Sequence, residues 1–279
     1  MSKLLSAPSS LIKFIENPVI SSNFRTTTWI IIGALLFPFL STLLTTRLTF
    51  FLSFLAILTR LIPTILITTG ILPNEQLLST VQPGRTAAMF PANDGINTIK
   101  PASKGLALLI LGVKITHPLG FFAPGAKQTG DHFTNLVADL NAHPTQHGWI
   151  SGSVVQGIPD SSSVSGHLTL IGYFKSMDAL HRFAHGEMHR EAWNWWNANV
   201  KGMPHIGVYH EAYDVPAKSW EGIYLQTPKL GLGAGRVEMD DGIWRDMLVE
   251  AKGGVWKSSE GRMGRSEEWG VDEGIVQNY

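Results

Sequence analysis

HLTLIGYFKSMDALHRFAHGEMHREAWNWWNANVKGMPHIGVYHEAYDV, residues His167–Val215, decides the fold. Its opening segment, His167–Phe174, has strand length and mixes β-branched with aromatic side chains. Ser176 stands where a helix N-cap belongs, before a long helical stretch, Met177–Val200. Leu180, Phe183, Ala184 and Met188 form one apolar stripe along it, and Gly186 is expected to break it. His205–Val215 (HIGVYHEAYDV) then alternates with a period of two and reads as a second strand.

Upstream, Leu106–Thr116 (LALLILGVKIT) is an apolar run of strand length, and Trp149–Val155 (WISGSVV) is another strand. Between them Leu136, Val137 and Leu140 give Thr134–Asn141 a helical spacing, with Asp131 as the expected N-cap. Gly157 to Asp160 and the serines that follow mark a turn. The order over residues 106–235 is β-α-β-β-α-β, an α+β, ferredoxin-like unit. Two helices cover one face of such a sheet and leave the other bare, so a homodimer is expected to close it.

Ahead of this unit lies the most apolar part of the chain, residues 28–72, with a polar segment at 1–27 before it. Thr28–Leu44 and Leu48–Leu72 contain one charge between them, Arg60. About 17 to 25 apolar residues cross a bilayer as a helix, so one or two spans are expected. Pro63, close to Arg60, points to a break in the second. A cleaved signal peptide fits poorly, because the polar lead is long and no small-residue cleavage site separates the two runs. Lys3, Lys13 and Arg25 before the runs, with Arg85, Lys100 and Lys104 after them, suggest a hairpin in the membrane with the C-terminal domain cytosolic. The prolines and glycines of 73–105 read as a linker, and 236–279 as a C-terminal tail.

Net charge is zero over 279 residues, so the electrostatic footprint of nucleic-acid binding is missing. The absence of cysteine removes disulfides, thiolate nucleophiles and cysteine-based metal sites. His181, His185 and His189 lie four residues apart. Their spacing is not that of a H-E-x-x-H site and Gly186 interrupts it, so no metal is expected. Trp193, Trp195 and Trp196 cannot all face inward, which puts at least one at a pocket, an interface or the bilayer surface.

On the last strand, Ile206, Val208, His210 and Ala212 share one face, and His205, Tyr209, Glu211 and Tyr213 the other. A histidine on an apolar face is ordinarily a hydrogen-bonded core residue; its functional alternative is a proton shuttle kept neutral by burial. Tyr173 and Trp149 come from strands that could neighbour His210 in one sheet, forming an aromatic pocket. The catalytic candidates are His210, Tyr173 and His185, and the substrate-binding candidates Trp149, Trp193 and Tyr213. GLGAG at Gly231–Gly235 lacks the strand and helix that a dinucleotide fingerprint requires.

The runs Phe183–Trp196 (FAHGEMHREAWNWW), His210–Pro216 (HEAYDVP) and the Gly222–Gly233 segment carry a family likeness. Residues 73–235 resemble the fungal membrane-associated relatives of the antibiotic-biosynthesis monooxygenases. That resemblance implies a dimeric α+β barrel of ferredoxin-like halves. It also implies an oxygenase acting on a lipophilic secondary metabolite, a terpenoid or polyketide, without flavin, haem or metal. The implied partners are that substrate, O2 and membrane lipid. The same barrel hosts haem-dependent dehydratases and isomerases, and a non-catalytic carrier of hydrophobic ligands is the rival from another class.

Overall fold

The computed structural model describes residues 22–92, 100–157 and 166–266. Most of the polar N-terminal segment, the serine-rich turn after Gly157 and the end of the tail lie outside the described residues. The described chain falls into two compact units, one up to residue 81 and the other from residue 82 on.

The first unit holds α1 (Thr26–Leu43), α2 (Thr46–Thr68) and the short α3 (Glu75–Thr80). Both α1 and α2 are long and apolar enough to cross a membrane. Large side chains such as Ile30, Leu35, Phe50 and Phe54 stand uncovered along them. The Thr45 hydroxyl caps α2 by accepting from the Leu48 N–H. The expected break at Pro63 does not occur: α2 runs unbroken to Thr68. Thr64 donates its hydroxyl to the Arg60 carbonyl (2.8 Å), satisfying its own polar group within the helix. Helix α2 is closed by Gly70, two residues past its last residue, Thr68, and the Gly70 φ of 74° suits a Schellman turn. There Ile71 N–H bonds the Leu66 carbonyl and Gly70 N–H the Ile67 carbonyl.

The second unit runs β1 (Arg85–Ala88), β2 (Leu106–Ile115), α4 (Ala126–Ala142), α5 (Pro144–His147), β3 (Trp149–Gln156) and β4 (Gly166–Phe174). It continues with α6 (Met177–Ala184), α7 (Glu187–Asn199), β5 (Ile206–Val215), β6 (Ile223–Leu225), β7 (Arg236–Glu238), β8 (Trp244–Asp246), β9 (Leu248–Glu250) and α8 (Ser259–Arg262). The main sheet has the order β3-β4-β2-β5 with every pair antiparallel, so the β-α-β-β-α-β succession is present. Gly186 breaks the helical stretch as read, and the Ser176 hydroxyl accepts from the Ala179 N–H to start α6. Helix α4 begins earlier than its sequence spacing suggested. Asp131 is therefore an interior residue paired with Lys127 one turn back (2.5 Å), not an N-cap.

Alternate strand residues build two different layers. On the helix side, Leu109, Leu170, Phe174, Leu140 and Phe183 pack around Trp149. On the opposite side, Ile150, Leu232, Val237 and Met247 form a second core beneath Phe90 and Trp220. That second layer includes a small sheet ordered β6-β1-β9. Its middle strand, Arg85–Ala88, comes from the stretch read as linker, and Leu248–Glu250 from the stretch read as tail. The tail is also anchored by Arg262, whose Nε donates to Glu221 (2.5 Å) and whose Nη1 donates to the Trp256 carbonyl (3.0 Å). Sparse periodicity in both segments hid this, since three-residue strands carry almost no pattern.

Candidate active site

Between α4, α7 and the β2–β5 side of the sheet lies an apolar pocket of about 100 Å³. Leu111, Val113 and Val208 form its floor, and Phe133 and Leu136, one helical turn apart, its α4 wall. From α7 come His189, Ala192, Trp193 and Trp196, at positions i, i+3, i+4 and i+7, which is one face of a helix. Trp195 reaches it from the flank, with its ring 4.7 Å from that of His132. Trp193 is the most open of the three indoles, at 54% exposure. At His189 the pocket meets a larger, more polar cleft of about 490 Å³ bordered by Asp139, His147, Arg182 and Glu187. That volume falls within the range of small-molecule sites, about 300–1,000 Å³.

His189 is the polar residue common to both cavities. Burial pushes its pKa below the usual imidazole value, a hydrogen bond to the Ala184 backbone opposes this, and the nearby His210 and His185 lower it further. The ring is therefore neutral near pH 7, with a lone pair available to take a proton. His185 is the last residue capping α6, its Nδ1 bonded to the His181 carbonyl at 2.7 Å.

The sequence candidates separate in space. His210 lies opposite Leu111 on the helix side of the sheet, within electrostatic reach of His189, and is solvent-exposed. The burial expected of it is not found because β5 is an edge strand with β2 on one side only, which also leaves Val208 42% exposed. Trp193 lines the pocket. Trp149 does not: it is 3% exposed, packs edge-on against Phe174 and donates its Nε1–H to Asn141 Oδ1 (3.0 Å). A Cβ at Gly152 would stand 2.5 Å from its ring, so glycine there makes room for a core indole.

Tyr173 and Tyr213 both lie opposite Leu108, hence on the other face of the sheet from His210 and Trp149. One aromatic pocket joining Tyr173, Trp149 and His210 is thus ruled out by strand alternation. Tyr173 is half-buried against the second core, and burial raises its pKa. Tyr213 is exposed and donates its hydroxyl to Glu211 Oε2 at 2.5 Å, which raises its pKa. Farther along this face, the Tyr209 hydroxyl bonds His167 Nε2 (2.9 Å) and Thr169 Oγ1 (3.0 Å). Its ring lies over Gly112, where a Cβ would come within 2.2 Å of it.

Sequence reasoning weighed His189 only as a metal ligand beside His181 and His185, because the pocket that surrounds it is completed by α4 and β5, which are distant in the chain. The signal that could have found it is the α7 periodicity, which sets His189 on one stripe with Trp193 and Trp196.

The family described as Monooxygenase af470-like matches residues 106–232. Monooxygenase af470 of Aspergillus fumigatus is 32% identical over 202 residues, covering 70% of this chain and 72% of that protein. Among solved structures, an aldoxime dehydratase in complex with butyraldoxime overlaps at a TM-score of 0.40 and 15% identity. The overlap spans 52% of this chain and 38% of the dehydratase. A putative antibiotic biosynthesis monooxygenase from Caulobacter crescentus overlaps at a TM-score of 0.29 and 16% identity, over 40% of this chain and 92% of that one. With the residues matched by the family and the identity to the Aspergillus protein together, this chain belongs to the fungal af470-like monooxygenase family and is an oxidoreductase.

Proposed function

We propose that this chain is a membrane-anchored monooxygenase that oxidises a lipophilic secondary metabolite, terpenoid or polyketide in class, in the groove that meets at His189. The observation that carries this reading is a neutral, half-buried imidazole at the junction of an indole-lined apolar pocket and a polar cleft. The apolar end suits a hydrocarbon body and the polar end a hydroxyl or carbonyl. His189 takes a proton from an activated C–H or phenolic O–H, with His210 and His185 as neighbouring imidazoles. The substrate carbanion then reduces O2 directly, with no flavin, haem or metal in the reaction. In a CH2-to-carbonyl conversion one oxygen atom enters the substrate and the other leaves as water, so the substrate supplies all four electrons.

Helices α1 and α2 support anchoring, and an apolar substrate dissolved in the bilayer meets a site at its surface at raised concentration. The domain is read as cytosolic. Val155, Tyr209 and Tyr213 are exposed on the face away from the helices, which supports pairing of two ferredoxin-like halves into a barrel. The tests are comparative metabolite profiling of a host with and without the chain, then oxygen uptake by purified protein with the metabolite identified. Oxygen uptake matched to product, without a Soret band, supports the reading. A Soret band required for turnover makes it a haem enzyme and overturns the cofactor-free part. The anchor is checked by deleting residues 1–81: the remainder is expected in the soluble fraction, and its retention on membranes contradicts the assignment.

A further inference from the structure

The polar cleft has a feature that the oxygenation chemistry above does not use. Asp139, His143 and His147 offer ligand atoms that all lie within 4.8 Å of one another. His143 Nδ1 is 2.9 Å from Asp139 Oδ1, and His147 Nε2 is 2.8 Å from Asp139 Oδ2. Metal–ligand bonds of about 2.1 Å set neighbouring donors about 3.0 Å apart in an octahedron and about 3.4 Å apart in a tetrahedron. Small rotamer adjustments therefore bring all three onto one ion.

The sequence explains how the set assembles. Asp139 and His143 are one helical turn apart at the end of α4, and Pro144 starts a new turn that carries His147 back to the same side. That backbone is held from several directions. Thr145 donates its hydroxyl to Glu238 of β7 (2.5 Å), and Asn141 accepts from the Trp149 indole (3.0 Å). Gly148, at φ 63°, ends α5, and the His147 ring meets Phe183 edge-on at 5.2 Å. Donors on fixed segments are what a metal site requires.

An ordinary reading exists: imidazoles near a helix C-terminus, favoured by its dipole, paired with a carboxylate. It leaves one fact unexplained. His147 Nε2 is shielded from solvent and close to Asp139, yet the pair lacks hydrogen-bond geometry. His143 Nδ1 does hydrogen-bond Asp139 Oδ1, so the buried His147 Nε2 is the atom of the cluster left without a partner, beside a carboxylate oxygen 2.8 Å away, and a shared ion would satisfy it. We propose that Asp139, His143 and His147 bind one divalent first-row transition-metal ion, with the remaining coordination positions open to the cleft. Two imidazoles and one carboxylate favour zinc, iron or cobalt over magnesium or calcium. The ion ties the last turn of α4 to α5 and leaves room for water or an oxygen ligand. This inference stands on these three residues alone and is independent of how the substrate is oxidised.

The test uses the full-length chain in detergent micelles, stripped with a chelator and desalted. It is titrated with Zn2+ by calorimetry and with Co2+ by visible absorption. Expected are uptake of one equivalent per chain, cobalt d–d bands, and a melting temperature that rises with added Zn2+. His147→Ala and Asp139→Asn should each weaken binding at least about 10-fold. Asp139→Asn keeps the shape of the side chain and one carbonyl acceptor while removing the charged ligand, so it separates loss of the metal ligand from loss of packing. His181→Ala, on a different helix, should bind as the parent does. Circular dichroism of each variant checks folding, and the cobalt spectrum of the parent needs no variant at all. Absence of stoichiometric uptake by the folded parent, or uptake unchanged in both variants, overturns the proposal.

Discussion

The two faces of the main sheet are made from alternate residues of the same four strands, yet the candidate site lies on one of them. The helix face packs Trp149, Phe174 and Leu170 into a core and leaves, where α4 and α7 diverge, the groove that ends at His189. The opposite face is covered at the Tyr173 end by the β6-β1-β9 layer, and farther along presents the Tyr209–His167–Thr169 network to its surroundings. The difference teaches that strand parity, more than residue chemistry, decides which side chains work together. Tyr173 and His210 look like neighbours in a strand alignment and stand on opposite sides of the backbone.

Substitutions can break or sharpen this contrast. The largest stability effect is expected from Trp149→Ala, which empties the centre of the helix-face core and should cost about 3–5 kcal/mol. A chemical denaturation midpoint close to the parent's would show that Trp149 is not the core wedge described. Next, Trp193→Ala should raise KM about 10-fold with kcat nearly constant, because the half-exposed indole binds substrate and transition state alike. A loss confined to kcat would move Trp193 from the pocket wall into the chemistry. On the opposite face, Tyr209→Phe removes one hydroxyl shared by His167 and Thr169 and should cost about 0.5–1.5 kcal/mol, with kcat unchanged. An activity loss there would shift the site across the sheet.

A pH dependence follows from His189. Its folded-state pKa is depressed by burial, so the unfolded chain binds the proton first as pH falls. The stability tied to its neutral form is fully present above about pH 6.5 and is lost as pH drops from there toward the lowered value. His189→Asn should flatten that decline in a melting series, and a decline unchanged in that variant would remove His189 as its source.

Much of the fold was legible in the chain. Leu106–Thr116 and His167–Phe174 have strand length and content, Ser176 and Gly186 bound α6, and the alternation in His205–Val215 assigns its faces correctly. Pro63 misled because a proline inside a long apolar helix removes one backbone hydrogen bond without necessarily ending the helix, and α2 continues through it. The second layer was illegible: β1, β6 and β9 are three or four residues each and are joined only in three dimensions. The site was half legible. Trp193 and the His185 and His210 neighbourhood could be picked out, but sequence could not tell that His189 stands between them. Nor could it tell that α5 folds His147 back toward Asp139.

The central claim is that the groove at His189 is where oxidation takes place. The direct measurement is kcat of His189→Asn, on the metabolite that profiling identifies, in a preparation whose melting temperature at pH 7.5 matches the parent's. Loss of a general base predicts a fall of about 10²–10⁴-fold, far larger than any change in KM. A kcat within a few-fold of the parent, alongside a comparable collapse in Tyr173→Phe, would contradict the account and place the chemistry on the opposite face of the sheet.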